Sequence, residues 1–427
     1  MSSERLGVDA TTPVDECVAR TEAWVEDCVP VAWREAAARG GNSAIREVRS
    51  RSDYEAWYPV FGASGLVMPT WAPAYGGLDV APETAAAMRA VLAPYNLRSL
   101  NPLGLNNTAA ALFAHGTDDQ KLRFLGPIVR NEEKWCQLFS EPGAGSDLAS
   151  LATKAVRDGD EWVISGQKVW TTWAQDADFA ILLARTDPSR PKNKGITYFL
   201  VDMHAPGVDV RPLRHISGEI EFNEVFLDQT RVPDFQRLGD VNDGWRVAGA
   251  TLSSERQMVA GAGSGGSGRV GGSGVDRLLQ LARRRGLADD PIVRQRLAAL
   301  WSEERIRAWT NQRVASNLAA GQTPGPAASI GKVHQAGLNQ RVQAAAVDLL
   351  GATAMAWAVD GGSDQHDSDA YHESLPFEVS GMLRSRANTI EGGTTEVNKN
   401  ILGERVLGLP REPDAWLGKP WSEIPRS

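Results

Sequence analysis

Ser140-Glu141-Pro142-Gly143-Ala144-Gly145-Ser146-Asp147 marks the point where the character of the chain changes. Two glycines and an alanine leave the backbone bare, so a flat or phosphorylated ligand can approach its N–H groups, and serines at both ends add hydroxyl donors. Alone, a glycine-rich turn is equally well a plain structural turn, so its meaning rests on what flanks it. Upstream, from about Pro13 to Arg130, apolar residues recur at helical spacing, as in Cys17, Ala19, Trp24 and Val25 and in the run Thr84 to Leu92. Met68 to Gly77 holds two prolines and two glycines and reads as a loop. Downstream come short β-prone runs, Glu161–Ile164, Phe179–Leu183, Thr197–Val201 and Glu224–Leu227, separated by turn material such as Asp158-Gly159-Asp160 and Ser165-Gly166. From Gly244 helices return, and Ile292–Ala319 and Ala327–Leu350 are long enough for bundle helices.

The expected architecture is therefore mainly α with a central β-domain. Residues 13–133 form an N-terminal helical domain, 134–240 a middle β-domain built as a barrel or sandwich, 241–412 a C-terminal helical bundle, and 413–427 a tail. Gly261 to Gly274 is glycine-rich, and each glycine costs about 1 kcal/mol inside a helix, so this stretch is expected to be a broken linker or a gating loop.

Bulk properties narrow the function. A chain of 427 residues has room for several cores, and a net charge of −8 tells against a nucleic-acid surface while leaving room for a local phosphate pocket. Cys17, Cys28 and Cys136 form no CxxC pair, which argues against a disulfide framework and a zinc site and fits a reducing cytoplasm. No apolar run approaches the ~20 residues of a membrane span, and the polar N-terminus lacks a signal core. The expected setting is cytoplasmic. Asp364 to His372, with two histidines and three aspartates, is polar and glycine-flanked, and is read as a loop with no metal.

Three further segments accompany the opening motif. In Lys168-Val169-Trp170-Thr171-Thr172-Trp173 an indole and a hydroxyl two residues apart share one face of a strand, which suits an aromatic ring system with a polar edge. Leu252-Ser253-Ser254-Glu255-Arg256 reads as a helix start, and Asn388 to Val397 carries Glu391 before a glycine pair and threonines, followed by Ile401 to Pro410.

In this order and spacing, the four segments resemble the acyl-CoA dehydrogenase family over about residues 20 to 412. That resemblance implies an N-terminal helical domain, a middle β-barrel and a C-terminal four-helix bundle, with FAD between barrel and bundle. It implies desaturation of an acyl-CoA in lipid metabolism, transfer of electrons to an electron-transfer flavoprotein, and a homo- or hetero-oligomer, dimer or tetramer. Carried onto this chain, Gln137, Phe139 and Ser140 would border the isoalloxazine, Trp170 would pack on it, and Thr172 would bond near N5. Ser146 would lie by the pantetheine or phosphate of coenzyme A, and Thr394 and Glu396 by the FAD pyrophosphate.

Two carboxylates compete as base. In many members it precedes the final Gly-Thr in a Tyr-Glu-Gly-Thr pattern; aligned on Thr394, that position here is Gly392, and Glu391 falls where the tyrosine would be. In other members, including those acting on long, branched or polycyclic acyl groups, an early bundle helix supplies the base in a Glu-Arg pair, here Glu255-Arg256. Glu255 is the first choice, Glu391 the second, and Arg256 a substrate-side residue. The chain departs from the family at Arg283-Arg284-Arg285-Gly286, which lacks the expected phenylalanine, and at Asp348 to Ala352, which replaces Gln-x-x-Gly-Gly. Both changes bear on FAD contacts across a subunit boundary. An oxygen-using relative and a non-catalytic partner subunit are the competing functions.

Overall fold

The computed structural model describes residues 4–425 apart from 260–273, 320–328 and 356–376, and leaves the side chains of 42, 43, 255–259, 315, 318 and 319 undescribed. Six helices come first: α1 (Val14–Cys28), α2 (Val31–Val48), α3 (Arg51–Ala63), α4 (Pro82–Leu92), α5 (Ala109–His115) and α6 (Asp118–Arg130). Local chemistry sets their ends. Ser50 with Asp53, and Thr117 with Gln120, form reciprocal capping boxes at the starts of α3 and α6. Gly40 and Gly41 leave helical geometry and kink α2, Gly41 with φ +58°. The first core packs Cys17, Trp24, Trp33, Tyr54, Tyr58, Phe61 and Met88. Ala19 departs from the expected helical face: it is exposed, and Thr21, one turn from Cys17, is buried instead with its hydroxyl donating to Cys17 O at 2.7 Å.

Eight strands follow in one sheet: β1 (Trp135–Leu138), β2 (Lys154–Asp158), β3 (Glu161–Thr172), β4 (Phe179–Arg185), β5 (Ile196–Asp202), β6 (Val208–Leu213), β7 (Phe222–Pro233) and β8 (Arg237–Leu238). The order is β6-β7-β3-β2-β4-β5-β8, with β1 parallel on β4. β4 and β5 are buried on both faces, which explains their unbroken apolar sequences. Their Ala180, Leu182, Phe199 and Val201 meet Trp162, Ile164, Val225 and Leu227 of β3 and β7, so the sheet wraps onto itself around this core. Ile181, Leu183, Tyr198 and Leu200 face the other way, onto Leu112 of α5, Phe124, Leu125 and Ile128 of α6, and Val247 and Ala248.

The latter two belong to α7 (Gly244–Val259), which carries the chain into the bundle. There α8 (Val275–Arg284), α9 (Pro291–Ala319), α10 (Ser329–Leu350), α11 (Phe377–Arg384) and α12 (Thr395–Arg405) assemble. α10 is central and touches each of the others, and Leu278, Leu281, Leu297, Leu300, Leu338, Val342 and Leu349 form its core. Among the described residues, no helix is long and apolar enough to cross a membrane. The three cysteines are free thiols. Asp364 to His372, and residues 261–273 of the glycine-rich stretch, lie outside the described residues.

Candidate active site

The loop that opens the β-domain is held from inside. Glu141 and Ala144 exchange backbone hydrogen bonds at 3.0 and 3.1 Å, closing a tight turn. The Glu141 carboxylate points inward and accepts from the amides of Ala152 at 2.6 Å and Thr153 at 2.9 Å. It also meets the ammonium of Lys168, on β3, at 2.8 Å, with that side chain fully buried. Lys168 Nζ donates further to Phe139 O at 3.0 Å and Leu183 O at 2.8 Å. Burial pushes the Glu141 carboxyl up, but the Lys168 charge and the hydrogen bonds it accepts outweigh this and hold it below the usual carboxylate range. Glu141 is thus a structural acid. The outer face of the loop is bare: Ser146 is exposed, and a Cβ on Gly145 would meet nothing within 4 Å, so packing does not require that glycine.

Ser140 O accepts from the Val169 amide at 2.9 Å, which brings the loop beside the second motif. There β3 slips register against β7 between Lys168 and Thr171, and Trp170 adopts φ +61° at this bulge. Val169 and Thr171 are buried while Trp170 is 56% exposed and Thr172 half-buried, so the indole and the Thr172 side stay on the open face. The uncovered indole on this bulge is backed edge-on by Phe222, with ring centres 5.8 Å apart. Phe139 differs: its ring is buried edge-on against Tyr198, so it offers backbone rather than ring to the open side.

Gln137 Oε1 accepts from Asn107 Nδ2 at 2.8 Å. Asn107 sits in a π-helical turn, Gly104–Thr108, and its buried Oδ1 has no partner among the described residues. α7 lies against this turn, with Ser254 Oγ donating to Asn106 O at 2.9 Å and Thr251 Oγ1 bonded to Tyr198 at 3.0 Å. The backbone of Glu255 and Arg256 therefore follows directly on a fixed segment; their side chains lie outside the described residues.

The bundle closes the arrangement from the other side. Arg384, at the end of α11, donates to Glu221 at 2.8 Å and to Glu391 at 2.9 Å, and its guanidinium lies 5.5 Å from the Phe222 ring. Burial lowers its proton affinity, but the two carboxylates more than restore it, leaving the pKa above the ordinary arginine value. The second oxygen of Glu391 accepts from Asn388 Nδ2 at 2.7 Å. Asn388 is fastened to α10 by Asn339 Nδ2 at 2.7 Å and by the buried Lys332 ammonium on its carbonyl. Gly392 and Gly393 then turn at φ +65° and +83°, and Thr394 caps α12 by accepting from Val397 N at 3.1 Å, with Glu396 in its first turn. Trp170, Phe222, Arg384 and Glu391 thus form one continuous line of contacts, while Ser146 lies apart, on a cavity of its own. Sequence reading missed Asn107, Glu221, Phe222 and Arg384. No periodicity marks them, and only the pairing of distant segments reveals their roles.

His215, Glu219 and Glu221 offer three ligand atoms within 4.8 Å, but Glu221 already faces the Arg384 guanidinium. Of the departures from the family pattern, Arg285 donates to Thr353 at 2.7 Å, and Asp348 pairs with Arg296 at 2.6 Å.

Comparison with known proteins finds matches over most of the chain. Residues 30–132 match the model of the acyl-CoA dehydrogenase N-terminal domain, 136–230 that of the middle domain, and 242–407 that of the C-terminal domain. A relative from Mycobacterium tuberculosis, acyl-CoA dehydrogenase IpdE1, is 37% identical over 93% of this chain and 98% of its own. Among solved structures, Tcur3481-Tcur3483 steroid ACAD is 27% identical with a TM-score of 0.71, covering 95% of this chain and 100% of that one. The ChsE4-ChsE5 complex from Mycobacterium tuberculosis is also 27% identical, with a TM-score of 0.68 over 94% and 99%.

Proposed function

The chain belongs to the acyl-CoA dehydrogenase family, a family of flavoprotein oxidoreductases, and on that premise we propose that it desaturates an acyl-CoA with a bulky, ring-bearing acyl group, using FAD as resident cofactor. The residues on the open face fit such a cofactor. Trp170 leaves its indole uncovered beside the half-buried Thr172, Ser140 is tied to that strand through the Val169 amide, and Gln137 is held by Asn107. Thr394 and Glu396 would meet the pyrophosphate side at the start of α12, where free backbone amides favour an anion. When bound, the flavin supplies the hydride acceptor.

The chain's own task is proton removal. An α-C–H of a thioester is a weak acid, so its removal needs a positioned base and donors on the thioester oxygen. Glu255 is our choice of base, with Arg256 beside it on the substrate side. The observation that carries the choice is the state of its rival. Both oxygens of Glu391 are engaged, one by Arg384 and one by Asn388, so protonating Glu391 would break an ion pair. Glu255→Gln should lower the rate of flavin reduction by about 10²–10⁴-fold while flavin stays bound. A Glu255→Gln enzyme with near wild-type turnover, together with an inactive Glu391→Gln enzyme, reverses the assignment.

The bulky acyl group is supported by the similarity to a steroid ACAD of known structure and by the Glu-Arg pair on α7. Anaerobic bleaching of the flavin by acyl-CoAs from butyryl to steroid-sized tests it. Fastest bleaching by the largest substrates is expected, and a preference for short linear chains overturns it. We further propose an electron-transfer flavoprotein as acceptor and a homo- or hetero-oligomer as the working assembly. Rapid reoxidation of the reduced flavin by air would replace the former, and the mass of the purified complex tests the latter.

A further inference from the structure

The C-terminal segment does not trail away from the bundle; it returns to the β-domain. Trp421 is its anchor. The ring is buried, Nε1 donates to Ser150 O at 3.1 Å, and the Arg185 guanidinium lies 4.7 Å from the ring centre. The Trp421 amide donates to Arg190 O at 2.8 Å and that of Ser422 to Pro188 O at 3.0 Å, while Pro420 bridges Pro191. Ahead of the anchor, residues 414–419 form a compact turn in which Trp416 N donates to Asp414 Oδ1 at 2.8 Å and Lys419 N to Trp416 O at 3.1 Å.

This turn walls a cavity of about 290 Å³ whose other lining comes from residues 146–149, residues 191–193 and Trp245 of α7. Two indoles, Trp245 and Trp416, two ammonium groups, Lys192 and Lys419, and two carboxylates, Asp147 and Asp414, therefore meet at the outer end of the Ser140–Asp147 loop. The two cations differ. Lys192 sits 2.8 Å from Asp147 and is largely neutralised. Lys419 lies 5.0 Å from the Trp416 ring centre and has no carboxylate within ion-pair distance among the described residues. An aromatic plane next to an uncompensated cation recognises a ligand that is itself both aromatic and anionic. The volume suits part of a nucleotide-bearing carrier rather than all of it.

We propose that Trp416 and Lys419 recognise the nucleotide end of the coenzyme A carrier, Trp416 stacking on the adenine and Lys419 meeting a phosphate. The C-terminal segment is then a specificity element of the substrate site, placed there by Trp421. This rests on the acyl-CoA reading above, and the test separates the two. Holoenzyme carrying Trp416→Ala or Lys419→Ala is titrated calorimetrically with coenzyme A. It is also assayed with one acyl group carried either on coenzyme A or on N-acetylcysteamine, which lacks the nucleotide. Each substitution should weaken coenzyme A binding about tenfold, and lower the ratio of kcat/KM for the two carriers by a similar factor through KM. Unchanged affinity and ratio in variants that keep the wild-type Tm overturn the inference while leaving the acyl-CoA reading intact. A wild-type holoenzyme that neither binds coenzyme A nor bleaches with any acyl-CoA overturns that reading itself.

Discussion

Two glycine-flanked turns in this molecule each carry a glutamate, and the two glutamates do different work. Glu141 turns inward, meets a fully buried lysine, and accepts two backbone amides from the same domain. Glu391 sits where bundle meets β-domain and shares Arg384 with Glu221, a residue 163 positions upstream of that arginine, so the shared guanidinium ties the two regions together. The first makes a rigid shelf whose outer face is free to receive a ligand. The second fixes how the bundle approaches the Trp170 face. Nothing in the tetrapeptides Glu-Pro-Gly-Ala and Glu-Gly-Gly-Thr reveals this; the difference lies in the partner, a lysine with no access to water against an arginine at a seam.

The largest expected effect tests the inward half of that contrast. Lys168→Met leaves a buried carboxylate without its counter-charge, which costs about 3–5 kcal/mol. Urea denaturation should show the loss as a lower midpoint. Adding Glu141→Met to it should recover less than half, because the amides of Ala152 and Thr153 then lose their acceptor. Full recovery by the double substitution would mean that the pair is interchangeable with an apolar contact and that the shelf does not depend on it.

The outward half predicts a smaller change. Glu391→Gln keeps an acceptor for Asn388 and leaves Arg384 its second partner, Glu221, so stability should fall by only about 1 kcal/mol. Turnover should fall less than tenfold, in contrast to Glu255→Gln. A hundredfold loss of turnover at unchanged stability would make Glu391 the base and erase the distinction drawn here.

The same contrast explains what could be read from sequence. Helix–strand–helix order was legible because it rests on local periodicity: β4 and β5 announce themselves as unbroken apolar runs, and α9 and α10 as long helical stretches. Trp170 and Thr172 were legible as a same-face pair, although the register slip that leaves the indole open is set by pairing with β7 and not by β3 itself. Arg384 and Asn107 were invisible because their meaning depends on residues more than 25 positions away, Glu221 and Gln137. Trp421 was read only as part of a tail, since its acceptor, Ser150, lies 271 residues upstream.

The smallest effect is on acid stability, and its sign follows from the β-domain's carboxylates. Asp234 is held at about 2, first by its hydrogen bond from Arg237, against the opposing push of burial, and then by the indole of Trp162. Glu141 is also depressed. A carboxylate whose folded pKa lies below its unfolded value stabilises the fold above the unfolded pKa, about 4, and loses that contribution as the pH falls through the folded value. The contribution of these carboxylates should therefore be level from about pH 7 to 5 and decline from about pH 4 towards 2. Asp234 is 26% exposed and so contributes less than the fully enclosed Glu141–Lys168 pair. Replacing it by asparagine, which keeps an acceptor for Trp162, should flatten the decline without abolishing it, leaving the Glu141 share. Denaturation followed by tryptophan fluorescence at each pH measures both slopes. An unchanged slope in Asp234→Asn would place the acid sensitivity outside this part of the β-domain.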